Sequence, residues 1–304
     1  MISRKFTIWA CGLLFVFGSC AEDMVKPIEN DKDAPGTVQD VKTESLPGAV
    51  KFTYTLPSDP DLLYVLAKYT NKTGKVMEFR SSFYTNSVTV EGFGDTDTYK
   101  VELYTVDRSE NRSQPQIVEV VPLTPPILSC YESLSMVSDF GGMTFEMDNK
   151  FKSDLAIYVC TPDELGDMVL AETFYSAREE IVYSVRGYDA VPRRFGIFLQ
   201  DKYGNETDTL FTELTPIYER ELDKTKFREM YLQNDSRVDS YDGKMEYVWN
   251  GRISKDGDSG GVGLHTGTGT KDGPAVFTFD LGVLAKLSRF ALWLFKTRST
   301  SITT

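Results

Sequence analysis

Apolar and polar residues alternate with a period of two through most of the first two hundred residues. Between Pro35 and Pro122 the segments Ala49–Leu56, Ser87–Val90 and Tyr99–Tyr104 alternate in this way, and turn-rich clusters (LPSDPD, NKTGK, GFGDTD) separate them. A period of two puts the apolar set on one face of an extended chain, which predicts half-buried strands. Short strands at roughly 8–15-residue spacing, with no sustained helical period, predict a β-sandwich. The texture returns between about Ile127 and Asp223, in Met143–Met147, Leu155–Val159 and Arg194–Leu199. An internal echo joins the two regions. Each carries a strand running into Asp-(Arg/Lys)-x-x-Asn-x-(Ser/Thr), at Asp107 to Ser113 and at Asp201 to Thr207, 94 residues apart. Asp and Asn bond their own backbone and Asn tolerates the left-handed conformation, so the motif suits a hairpin. An offset of one sandwich points to tandem duplication rather than a solenoid. The prolines at 122, 125 and 126 predict a semi-rigid spacer between the copies.

From about Phe227 the texture changes. Tyr247-Val248-Trp249-Asn250-Gly251 leads into a polar, glycine-rich run. Pro274 to Gly282 and Leu287 to Trp293 then read as strands.

These patterns carry resemblances. Pro35-Gly36, Leu46-Pro47-Gly48-Ala49-Val50, Leu56-Pro57, Asp61 to Tyr64 and the Asp107 turn resemble fibronectin type III domains. More narrowly, the first region looks like the N-terminal module, and the second like the middle module, of a Bacteroidetes surface lipoprotein family encoded beside polysaccharide-utilisation systems. The resemblance implies that these modules are spacers. The third region resembles the discoidin or coagulation-factor type C module, a galactose-binding-like jelly roll, through Trp249-Asn250-Gly251, Phe279-Asp280-Leu281-Gly282 and Ser288-Arg289-Phe290. Asn250 stands where that family usually has Asp. Only Phe227 to Thr304 is left for this module, so an incomplete, prematurely ended copy is expected. Half a jelly roll would leave strand edges unpaired.

The N-terminus changes the picture of where these modules sit. Arg4 and Lys5 precede a short apolar run, Phe6 to Gly18, which is below the roughly 20 residues a membrane-spanning helix needs. That is the layout of a secretory signal. Phe17-Gly18-Ser19-Cys20 resembles a bacterial lipobox, which implies diacylation of Cys20 and a stable membrane anchor. Ala21-Glu22-Asp23 resembles the surface-export signal of Bacteroidetes lipoproteins, implying a lipid-anchored chain exposed on the outer membrane. Cys130 and Cys160 remain in an exported chain, either paired or as two buried thiols.

Composition narrows the chemistry. A formal charge of −12 argues against nucleic acid and anionic surfaces, which need a basic stripe. His265 is the single histidine, so polyhistidine zinc sites and Ser-His-Asp engines lack material. Asp256-Gly257-Asp258 lacks the further ligands of a calcium loop, and neither metal nor cofactor is expected. Glu179-Glu180 is the kind of carboxylate pair a glycosidase needs, but with 45 acidic residues such pairs arise by chance. The asparagines of Asn71-Lys72-Thr73, Asn111-Arg112-Ser113, Asn205-Glu206-Thr207 and Asn234-Asp235-Ser236 read as turn residues. Sugar recognition uses an aromatic face beside planar polar groups, and Trp249, Asn250 and His265 are the candidates.

The expectation is therefore an all-β chain of tandem immunoglobulin/fibronectin-III-like sandwiches followed by a partial jelly-roll. Its parts are a signal peptide (1–19), a tether (20–35), sandwiches at 36–122 and 127–225, and the incomplete module at 227–304. The expected role is non-enzymatic binding of a polysaccharide or oligosaccharide beside outer-membrane transporter components. The alternatives are a scaffold on another outer-membrane protein and a glycoside hydrolase accessory.

Overall fold

The computed structural model describes residues 32–236, 238, 243–252 and 276–292. Cys20 and His265 lie outside them, as does the Asp256 to Asp258 loop.

The first compact unit holds the strands β1 (Gln39–Leu46), β2 (Ala49–Thr55), β3 (Leu62–Thr70), β4 (Val76–Ser82), β5 (Ser87–Glu91), β6 (Tyr99–Asp107) and β7 (Gln116–Val120). They form two antiparallel sheets, ordered β1-β2-β5 and β4-β3-β6-β7. The alternating residues of the sequence turn their apolar side chains between the sheets. Val50, Phe52, Tyr54, Val65, Ala67, Tyr69, Val101 and Leu103 make one buried cluster around Phe93 and Tyr99.

The second unit repeats the plan with β8 (Ser135–Asp139), β9 (Gly142–Asp148), β10 (Leu155–Pro162), β11 (Met168–Ser176), β12 (Glu180–Arg186), β13 (Arg193–Asp201) and β14 (Leu210–Leu214). Its sheets are ordered β12-β9-β8 and β11-β10-β13-β14, which is strand for strand the arrangement of the first. Phe145, Ile157, Val159, Phe195, Ile197 and Leu199 are fully buried between them. A three-stranded sheet packed on a four-stranded one in this order is the fibronectin-III form of the immunoglobulin sandwich. The chain is a tandem of two such sandwiches.

The two copies of the turn are anchored by the same pair of hydrogen bonds. Ser113 donates its N–H to the Thr105 carbonyl and accepts the Thr105 N–H on its hydroxyl; Thr207 does the same with Leu199. The left-handed residue differs from expectation. It is Glu110 in the first copy and Gly204 in the second, one place before each Asn. Asn111 instead uses its amide to donate to the buried carboxylate of Asp107, at 2.9 Å.

Three stretches are more particular than the sequence suggested, the last of them against expectation. First, the proline stretch is locally structured: Leu123 hydrogen-bonds Leu46 and Gly48, and helix α1 (Pro126–Ser133) starts at Pro126. Proline suits the first turn of a helix because the missing N–H would have no partner there. Second, Trp249 directly follows a 3-10 turn, Met245–Val248. Third, the described part of Leu287 to Trp293 has no regular secondary structure, and Leu287, Phe290 and Leu292 are largely exposed. No neighbouring strand among the described residues offers them a ladder. The described residues of this region also hold a short antiparallel pair, β15 (Arg228–Met230) with β16 (Thr278–Asp280).

Candidate functional site

Aromatic residues gather beside the β15–β16 pair. Phe227 immediately precedes β15, and Phe279 sits on β16. The 3-10 turn delivers Trp249 to both, with centroids 5.8 Å from Phe227 (edge-on) and 5.2 Å from Phe279 (tilted). Phe277 stacks on Phe279 at 6.4 Å. Such contacts fix the plane of the indole while leaving it half-exposed. The strand ends at Asp280, whose carboxylate accepts the Gly282 N–H at 2.9 Å, so the Asp-Leu-Gly stretch closes a turn.

Asn250 follows Trp249 and is exposed. Its Oδ1 accepts the Arg252 N–H at 2.8 Å, and its amide nitrogen makes no hydrogen bond among the described residues. Trp249 and Asn250 are neighbours in the chain itself, and His265 lies outside the described residues.

Glu179 and Glu180 do not form a catalytic pair. Glu179 is exposed and held by Lys152 at 3.3 Å. Glu180 opens β12 and Glu179 sits in the bend before it, both exposed to solvent. Among the described residues, no group of His, Cys, Asp and Glu is placed to hold a metal ion. Cys130 and Cys160 are free thiols. Burial, with a contribution from Asp148, pushes Cys130 up to about 11, and burial also raises Cys160. Neither is a nucleophile at neutral pH.

Sequence reasoning missed a polar junction in the second unit. Arg186 on β12 donates to the Phe140 carbonyl at 2.8 Å and to Asp139 at 2.9 Å, and lies 3.6 Å from Glu219. Glu219 also accepts from the Ser288 hydroxyl at 2.6 Å and pairs with Arg289 at 3.0 Å. It ties the segment after Gly282 to the sandwich. Burial raises Asp139, but the Phe140 N–H, the Thr144 hydroxyl and Arg186 outweigh it and hold the carboxyl below its usual range. These residues are dispersed along the chain, and no spacing announces them.

The fold and this site define a class: a tandem fibronectin-III-type sandwich protein with an aromatic cluster after its second sandwich. Comparison with known proteins adds detail. Residues 35–122 match a family model described as a domain of unknown function (DUF4959), and residues 123–225 match another (DUF5126). No curated protein matches the chain. Among solved structures it is similar to the SusE-like protein BT2857, at 29% identity over 54% of this chain and 57% of that one, with a TM-score of 0.34. The chain thus spans 57% of the length of that protein. It is also similar to a two-domain fibronectin type III segment of chicken tenascin (12% identity, 59% of this chain, 99% of that one, TM-score 0.28). A third likeness is to the FN1–FN3 domains of chicken CNTN1 (10% identity, 60% of this chain, 67% of that one, TM-score 0.27).

Proposed function

We propose that the chain is a lipid-anchored, surface-displayed protein of the outer membrane that binds glycan without catalysis, beside a polysaccharide uptake system. The observation that carries this reading is the juxtaposition of Trp249 and Asn250. A half-exposed indole held in one orientation by Phe227 and Phe279 offers a surface for the C–H face of a pyranose, and the neighbouring exposed amide can bond its hydroxyl rim. The lipobox-like Cys20 and the acidic residues after it support display on the cell surface. Filled aliphatic and aromatic cores, without a cleft-facing role for Glu179 and Glu180, support a spacer role for the sandwiches.

The test is depletion of the mature chain by insoluble polysaccharides, compared with single variants. Asn250→Ala, an exposed change that spares packing, and Trp249→Ala should each weaken binding about tenfold, the equivalent of about 1.4 kcal/mol. Unchanged affinity in both variants would remove the site.

A further inference from the structure

The two sandwiches share a topology but not an outer surface. Across the outward face of the first four-stranded sheet, one row of cross-strand neighbours reads Glu78, Lys68, Glu102 and Ile117. In the second sandwich the equivalent row reads Leu170, Cys160, Gly196 and Phe211. Charge has been replaced by apolar surface at position after position. The next row adds Tyr158 and Phe198, stacked at 4.7 Å with planes 11° apart. Met168, Leu170 and Phe211 remain 38%, 56% and 42% exposed. A contiguous apolar sheet face of this kind marks an interaction site.

The ring geometry says what kind. Parallel rings 4.7 Å apart on adjacent strands cannot both lie flat on the sheet, so they stand upright and present edges. Phe211 lies across Gly196, where a β-carbon would come within 2.7 Å of the ring, and the Arg194 guanidinium covers it at 3.9 Å. Tyr158, Phe198 and Phe211 thus leave no open ring face, and Tyr175, opposite Ala156 at the margin of the same face, is the ring that stays exposed. The surface suits protein side chains.

The charges say which protein. In the first sandwich Lys100 and Glu119 sit opposite one another on β6 and β7 and pair at 3.6 Å. Arg194 and Glu213 hold the same positions on β13 and β14, yet no ion pair joins them, because Arg194 has turned onto Phe211. Neither side chain forms an ion pair among the described residues. A guanidinium stacked on a ring keeps its in-plane N–H donors free for a carboxylate. We propose that this face is the contact between two copies of this chain, packed sheet against sheet about a two-fold axis near β13 and β14. A two-fold running between β13 and β14 turns each Arg194 toward the partner's Glu213, so the two ion pairs form side by side at the axis with the apolar row beside them. Self-complementarity of this kind is what an isologous interface requires.

The association is independent of glycan binding and is measured without carbohydrate. Sedimentation velocity on the chain from Ala21 to Thr304, over a concentration series, should show a reversible dimer. Arg194→Glu and Glu213→Arg should each weaken it about tenfold or more, since each sets like charges face to face. The double reversal R194E/E213R should restore it, a rescue that a merely misfolded variant would not show. A monomer at every concentration would overturn the proposal. So would an association that the single reversals leave intact, or one that the double reversal fails to restore.

Discussion

Asp107 is fully buried, and its carboxylate gathers the backbone N–H groups of Ser109 and Asn111, both at 2.8 Å, and the Asn111 amide at 2.9 Å. Hydrogen bonds to an ionised acceptor are worth about 1.5–3 kcal/mol each, and donors stranded in the interior cost more than they return. Asp107→Ala should therefore destabilise the protein by about 3 kcal/mol in urea unfolding, with an unchanged denaturant slope. The spacing of Asp and Asn made this turn legible in the sequence. It did not show that Glu110 takes the left-handed backbone, with φ at 63°, where the second copy has Gly204. A strained position fixed by side-chain bonds on either side leaves no composition signal of its own. His265 and Cys20, both legible as residue types, fall outside the described residues.

At the scale of elements, the period of two revealed β2, β6, β9, β10 and β13, because each buries one face and exposes the other. Helix α1 stayed hidden because Pro125-Pro126 reads as a break, although the second proline occupies the one helical turn that accepts it. β11 was equally hard to read: its first five residues are exposed on both faces, so no alternation survives. The junction of Asp139, Arg186 and Glu219 belongs to this scale, since it clamps β8, β12 and the segment after β14. Asp139 is held below its ordinary value in the folded state, so its contribution is full above the unfolded value. It is lost as pH falls below about 4 and on through the lower folded value. Arg186→Met should reduce stability at pH 7 by about 3 kcal/mol, leaving the partly buried Asp139 without its cation while Glu219 keeps Arg289. The variant should also lose less stability than the wild type between neutral pH and pH 3. Equal acid sensitivity in chemical denaturation of both would show that Asp139 does not depend on Arg186.

For the molecule as a whole, the two sandwiches explain most of the sequence and none of its specificity. Their cores are filled, and their duplicated turns serve the backbone. The chemistry proposed for the rest lies in the apolar outer face of the second sandwich and in the aromatic cluster beside β15 and β16. The cluster was half legible. Trp249-Asn250 stood out as a motif, while Phe227 became its neighbour only through pairing of β15 with β16 across nearly fifty residues. An acidic chain with a formal charge of −12 gains nothing from polyanions, so the glycan binding proposed for the cluster would rest on ring stacking and hydrogen bonds. The most direct measurement is affinity electrophoresis of residues 24–304 and 24–226 through gels containing plant and host polysaccharides. The account predicts that the longer chain alone is retarded by at least one of them. If neither form is retarded, or if the shorter form is retarded equally, glycan binding by the region around Trp249 is contradicted.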